Sequence, residues 1–420
     1  MNGYAEFLAK KRRRADEVGV TVSRDDLHPV LREHQAFGVE WAAMVGRAAL
    51  WWDCGMGKTL AQVEWARLAA ERTLIVAPLS VARQTVNEAR MVDVDVKYIR
   101  EPCEGRGVFI TNYEMVHRVD PASFGAVVLD ESSILKNVDG RTRRTITEAF
   151  SRTRMRLACS ATPAPNDVAE LTNHAAFLGT MSREEMLAAY FINDQDKGWR
   201  LKGHAASAMY GWMRTWAQTA RRPSDLGYAD DGYVLPQLAI VQHVADADVA
   251  AGDGQLFATD LGGVGRRAQV RRETLTARCE LAANLARGDD QWIVWCGLND
   301  EAAACAAAIP GAVDVPGSWE PERKAEALEA FQDGDIRVLV TKPTIAGFGM
   351  NFQNCARMAF VGLSDSYETY YQAIRRCWRY GQTQPVDVHI VTSHLEQQIV
   401  ENVTRKEREA AAWADMMITG

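Results

Sequence analysis

Two series of short apolar runs constrain this chain more than any other feature. In the first half they fall at residues 49–52, 73–77, 108–111, 126–129 and 155–158. In the second they fall at 292–295, 312–315, 337–340, 358–361 and 386–391. Each run has four to six residues, is bounded by turn residues and is followed by a polar or amphipathic stretch. Such runs read as strands buried on both faces, with crossover helices between them. The expected class is therefore α/β, with two parallel sheets in tandem. A chain of 420 residues is long for one core and comfortable for two domains plus an insertion. The expected division is a first lobe at 1–179, a helical insert and linker at 180–278, and a second lobe at 279–420. In the insert Ala205, Met209, Trp212 and Trp216 share one helical face. Pro223 and Gly227 break that pattern, and the glycines at 252–254 and 262–265 mark loops near the linker.

Composition excludes more than it selects. The apolar fraction of 47% and charged fraction of 25% are those of a soluble globular protein. No apolar run is long enough to span a bilayer. Residues 10–14 are basic and no apolar signal core follows, so no secretory signal is expected. The eight cysteines are scattered singly, without CxxC or Cys/His ligand spacing. That points away from a disulfide framework or a zinc site and toward a reducing cytoplasm. With a net charge of −7, any surface for nucleic-acid phosphates must be a local patch.

The strongest local signal is Asp53-Cys54-Gly55-Met56-Gly57-Lys58-Thr59, set between an apolar run and a helical stretch at 60–70. Gly55 and Gly57 let backbone amides wrap a β-phosphate, and the helix N-terminus behind them adds partial positive charge. Lys58 can reach the β- and γ-phosphates, and the Thr59 hydroxyl can ligate Mg²⁺. Trp52 replaces the usual first glycine of such a loop. The bland alternative is a glycine-rich turn with a surface lysine. Trp51 and Trp52 can stack on adenine or pack in the core, and their place at the end of a buried run favours the core.

Residues 126–129 run into two carboxylates, Asp130 and Glu131. Ligands of parallel sheets gather at that end of the strands. Asp130 is suited to hold Mg²⁺ through water, and Glu131 to accept a proton from the attacking water. Two acids ending a strand are often only a solvated turn. About 70 residues after a phosphate loop, they point to ATP hydrolysis.

Further segments follow in a fixed order. They are Leu31-Arg32-Glu33-His34-Gln35, Val76-Ala77-Pro78-Leu79-Ser80, Asn112-Tyr113-Glu114, the continuation Ser132-Ser133-Ile134-Leu135-Lys136-Asn137, and Ser160-Ala161-Thr162-Pro163-Ala164-Pro165-Asn166. In the second half come Ala346-Gly347-Phe348-Gly349-Met350-Asn351 and Gln372-Ala373-Ile374-Arg375-Arg376-Cys377-Trp378-Arg379-Tyr380-Gly381-Gln382. The series resembles superfamily 2 helicases, and within them the Swi/Snf-type duplex-DNA translocases in their short prokaryotic and phage-encoded forms. The resemblance implies two RecA-like P-loop lobes that use ATP and Mg²⁺. It implies that Gln35 reads the adenine edge and that Gly349 lies at the nucleotide. It also implies that Pro78, Asn112, Lys136 and Thr341 touch nucleic acid. Arg376 and Arg379 would face the γ-phosphate, with Gln372 beside it. A guanidinium supplied by a second lobe would tie hydrolysis to domain closure. The sequence departs from the family in two motifs: Ser133 stands where His is usual in the acid motif, and Ala346 stands where the interface motif has Gly. The chain is also short beside typical remodelling ATPases.

The implied function is an ATP-dependent DNA helicase or translocase on duplex or branched DNA, cytoplasmic, with a possible DNA-processing protein partner. The alternatives are an RNA helicase and a non-translocating ATP switch that serves a nuclease or methyltransferase. Lys197, Trp199, Arg200, Lys202, His204, Arg214, Arg221 and Arg222 form a basic, aromatic insert. Its aromatics read as packing, while its basic residues suit phosphates or solvent equally. Arg141, Arg143 and Arg144 are open in the same way. No wedge hairpin is legible.

Overall fold

The computed structural model describes residues 15–136, 140–194, 198–245, 271–346 and 350–419. Residues 10–14, Asn137, Lys197, the glycines at 252–254 and 262–265, and Gly347, Phe348 and Gly349 lie outside the described residues. The chain forms two units. The first is Met1–Asp230 with Arg408–Gly420, and the second is Asp231–Glu407.

The first unit is built on a parallel sheet of seven strands in the order β3-β4-β2-β5-β6-β1-β9. They are β1 (Arg47–Trp52), β2 (Arg72–Ala77), β3 (Val96–Tyr98), β4 (Gly107–Asn112), β5 (Ala126–Asp130), β6 (Met155–Cys159) and β9 (Ala217–Ala220). Every residue of β5 and β6 is buried, as expected of central strands covered on both faces. The register sets the level of the site: Cys159 is the partner of Leu50 on one side and of Asp130 on the other. The carboxylates that end β5 and the loop that leaves β1 therefore emerge on the same edge.

A separate insert is not what the first unit contains. Residues 180–230 belong to it, and β9 adds a strand beside β1, with Ala49 opposite Ala217. Before β9, the strands β7 (Phe191–Asp194) and β8 (Gly198–Leu201) pair as an antiparallel ribbon, which the sequence did not disclose. Met209, Trp212 and Trp216 are buried, so the aromatic face of the insert is packing. Trp51 meets Trp216 edge-on at 5.5 Å and Trp413 at 6.0 Å. Arg221 donates to Asp415 Oδ1 at 2.7 Å and to the Ala411 carbonyl at 2.8 Å, and Arg214 donates to the Met416 carbonyl at 2.8 Å. The last residues, expected in the second lobe, thus close over the first unit's core. Emptying a buried indole site such as Trp51 would cost about 3–5 kcal/mol.

The second unit holds six parallel strands in the order β10-β15-β14-β11-β13-β12. These are β10 (Leu238–Ala245), β11 (Trp292–Cys296), β12 (Ala312–Val315), β13 (Val338–Thr341), β14 (Arg357–Val361) and β15 (Val386–Ser393). The expected class, α/β with two parallel sheets in tandem, holds. Among the described residues, no helix is long and apolar enough to cross a membrane.

Candidate nucleotide site

The loop after β1 leads into the helix Lys58–Ala69, whose first turn is the anion-binding end of the element. Gly55 and Gly57 have φ of +87° and +80°, the left-handed region that L side chains avoid. A Cβ on Gly57 would also lie 2.0 Å from Gln35 Nε2, so the loop can only be drawn this tightly by glycine. Lys58 Nζ donates to the carbonyls of Trp52 at 2.8 Å and Asp53 at 3.2 Å, which holds the ammonium over the loop. Gln35 Nε2 and His34 Nε2 both donate to the Met56 carbonyl at 3.2 Å, and Gln35 Oε1 accepts from the Arg32 N–H at 2.9 Å. Gln35 is thereby fixed against the loop. Trp52 is wholly buried, with Nε1 donating to Gln218 Oε1 at 3.0 Å, so both tryptophans are core residues.

Asp130 is buried at the end of β5. Burial pushes its carboxyl up, while the Gln62 amide, the Lys58 ammonium and the Glu131 N–H pull it down. Gln62 stands four residues after Lys58, one turn further along the same helix face. Sequence reasoning missed it, although that spacing from Lys58 was the available signal. Tyr113 donates to the Asp130 carbonyl at 2.6 Å. Its phenol is held well above the ordinary range by burial and then by Asp130 and Glu131, so it stays a donor. Its hydroxyl serves the acid strand. Glu131 follows with φ +53°. Beyond β6, Ser160 Oγ accepts from the Thr162 N–H at 3.1 Å, and the buried Thr162 hydroxyl has no protein partner.

A buried carboxylate beside one lysine, a two-glycine loop at a helix N-terminus and an unpartnered buried hydroxyl suit a Mg²⁺–nucleotide in chemistry and placement. Thr59, in the first turn of the helix, and Asp130 are the residues able to hold the metal.

Of the residues implied at nucleic acid, Pro78 and Asn112 lie together at the ends of the neighbouring strands β2 and β4, where Ala77 pairs with Asn112. Pro78 caps the helix Leu79–Ala89. Asn112 is buried, accepting from Tyr98 Oη at 3.1 Å and donating to Glu114 at 2.6 Å. Lys136 ends the short 3-10 turn Ser132–Lys136. Thr341 is buried in the second sheet and donates to the Val315 carbonyl at 3.0 Å. Its neighbour Lys342 lines a cleft of about 140 Å³ with Gly297, Gly362, Ser364 and Thr369.

In the second unit the helix Tyr367–Cys377 carries Arg376, while Arg379 lies two residues beyond its end, its carbonyl accepting from the Gln382 N–H at 3.0 Å. Gln372 is buried in it. Arg376 donates to the Met350 carbonyl at 3.1 Å, and its own carbonyl accepts from the Phe352 N–H at 2.9 Å. Arg375 is buried, with its guanidinium 4.7 Å from the Trp378 ring centre. Gln382 donates to the carbonyls of Gln353, Cys355 and Cys377 at 3.0, 3.1 and 3.2 Å, which fixes the turn beyond the helix. Residues 281–381 match the model of the helicase conserved C-terminal domain. The matched stretch lies within the second unit. It runs from within the helix Leu275–Leu285, through β11 and the arginine helix, to the turn that Gln382 pins. Among curated proteins nothing matches the chain. Among solved structures the chain is similar to the SWI2/SNF2 ATPase core of Sulfolobus solfataricus in complex with dsDNA. The identity is 17% and the TM-score 0.46, over 96% of this chain and 96% of that one.

Proposed function

We propose that this chain is an ATP-dependent translocase or helicase acting on DNA, with duplex or branched DNA favoured. One observation carries the reading: a glycine–lysine loop at a helix N-terminus and an acid pair, of which Asp130 is buried, share one edge of a parallel sheet, in a chain whose residues 281–381 match the helicase conserved C-terminal domain. Lys58 and the loop amides hold the β- and γ-phosphates, and Gln35 lies where the adenine edge is read. Glu131 takes the proton of the attacking water. Mg²⁺ held by Thr59 and Asp130 would neutralise phosphate charge. Gln372, Arg376, Arg379 and Gly349 act on the nucleotide from the second unit. The negative charge of the transition state is spread over the equatorial oxygens, which is where guanidinium groups act. Pro78, Asn112, Lys136 and Thr341 lie along the nucleic-acid track, with phosphate contacts that position without reading sequence.

The test is the rate of ATP hydrolysis with no polymer, single-stranded DNA, duplex DNA, branched DNA and RNA. The proposal expects stimulation by duplex or branched DNA at least equal to that by single strands, weakening sharply with salt. It also expects ATP-dependent displacement of a triplex strand. Stimulation by RNA alone would replace the reading with an RNA helicase. Hydrolysis indifferent to every polymer would replace it with a protein-partnered switch.

A further inference from the structure

Glu131 is bent as few residues are. Among the described residues, only Asp93 and Glu131 are non-glycine positions with positive φ. A residue held there is strained unless its surroundings over-determine it, and such strain gathers at working sites. The turn around Glu131 is tied down on both sides. The Glu131 N–H donates to Asp130 Oδ1 at 3.0 Å, and the Glu131 carbonyl accepts from the Ile134 N–H at 3.2 Å and from the Ser133 hydroxyl at 3.4 Å. These ties are local and come from the turn itself.

Other ties are not local. His174 Nε2 and Ser132 Oγ are hydrogen-bonded at 3.1 Å, across 42 residues of sequence, and both side chains are fully buried. His174 sits on the helix Leu171–Leu178, and its neighbour Asn173 donates to the Leu135 carbonyl at 2.8 Å. Two consecutive side chains of this helix thus grip the two ends of the 3-10 turn that follows Glu131. The imidazole also meets Trp51, ring centres 5.4 Å apart and edge-on. Trp51 is the residue before Trp52, whose carbonyl accepts from Lys58. His174 therefore stands between the strand that delivers the phosphate loop and the turn that delivers the acids.

We propose that His174 is a positioning residue for hydrolysis: through the Ser132 hydroxyl it holds the turn that presents Glu131 to the attacking water. The acid motif of this chain has Ser133 where the resemblance leads one to expect His, and the imidazole bound to the motif comes instead from a helix downstream. The inference rests on the proposed role of Glu131 and deepens it.

The experiment uses the full chain with ATP and duplex DNA, and reads kcat, KM for ATP and binding of a fluorescent ATP analogue. The variants are His174→Leu, His174→Gln, Ser132→Ala and the pair His174→Leu with Ser132→Ala. Loss of the tie lets the base drift, so His174→Leu lowers kcat roughly 10- to 100-fold with nucleotide binding unchanged. Gln places a polar terminus near the reach of Nε2, with both a donor and an acceptor, and restores most of the rate. Ser132→Ala reproduces the loss, and the pair is no worse than either single change. Wild-type kcat in folded His174→Leu overturns the proposal. So does a raised KM with kcat intact, or a Gln variant as slow as Leu. Should His174→Leu fail to fold, Ser132→Ala decides alone: unchanged kcat overturns the proposal and reduced kcat supports it. Glu131→Gln in the same series separates the two levels. If it hydrolyses ATP at the wild-type rate, the reading of the site fails and takes the positioning role with it. If it is inactive while His174→Leu is not, only the positioning role fails.

Discussion

Both units open a strand–turn–helix on the C-terminal edge of a parallel sheet, and they treat the helix N-terminus in opposite ways. In the first unit β1 leads through Gly55 and Gly57 into the helix Lys58–Ala69. No side chain caps that helix, and its first residue is a lysine. In the second unit β11 leads into the helix Asn299–Ala308, and Glu301 folds back over its start. Glu301 Oε2 accepts from the N–H groups of Gly297 at 3.0 Å and Leu298 at 2.9 Å. The carboxylate is buried and paired with Arg278 at 3.0 Å and Arg271 at 3.3 Å. A helix N-terminus attracts an anion. The second unit supplies that anion from its own chain, whereas the first has a cation and glycine amides arranged for an anion from elsewhere. The same local fold can therefore become a ligand site or a structural joint, depending on which side chain reaches the helix end.

The largest effect is expected at Lys58. Lys58→Ala is expected to abolish ATP turnover while thermal unfolding stays cooperative, and turnover near wild type in a folded variant would remove the nucleotide from the first unit. Next in size, Arg376→Ala or Arg379→Ala should lower turnover roughly 10³-fold and leave ATP affinity within about an order of magnitude. Steady-state rates beside equilibrium binding separate the two, and full activity of either variant takes that arginine out of the site. Glu301→Ala leaves Arg278 buried with weaker compensation from Glu396 at 3.5 Å. Breaking such a pair costs about 3–5 kcal/mol, read from urea unfolding, with ATP affinity unchanged. A loss under about 1 kcal/mol would mean that the second helix does not depend on its internal anion.

The smallest effect is one of pH. Burial lowers the His174 imidazole from its ordinary 6.5 to about 4. The unfolded chain then binds the extra proton between those values and the folded chain does not. Stability is thus full above about pH 6.5 and is lost as pH falls toward about 4, by an amount of the order of 3 kcal/mol. Replacing His174 with Gln should flatten that acid limb in unfolding curves taken across the range. An unchanged limb would assign the loss to other groups.

Much of the fold was legible because its signals are local. The ten apolar runs all became strands, since a strand buried on both faces needs continuous apolar residues wherever it lies in the chain. The strands that escaped notice are β3 and β9, which end the first sheet, β10, which ends the second, and the ribbon strands β7 and β8. β9 reads Ala-Gln-Thr-Ala, a sequence of low strand preference that pairs because β1 offers it an edge. The basic residues of the insert seemed equally suited to phosphates or solvent. Instead Arg214 and Arg221 hold the chain's last residues, and Arg222 lies 3.6 Å from Asp230. Composition could not foresee partners some 200 residues away.

The sequence by itself determined the glycine–lysine loop, the acid pair and their attachment to strand ends. Glycine, lysine and carboxylate at fixed spacing beside a buried run leave few other conformations. Tertiary structure alone decided what surrounds them. Tyr113 reaches the Asp130 carbonyl across 17 residues, His174 reaches Ser132 across 42, and Trp413 reaches Trp51 from the far end of the chain. None of these has a sequence signature, because each side chain is ordinary in its own segment. Each gains its role only where the sheet order brings distant segments to one edge and burial removes water as the competing partner.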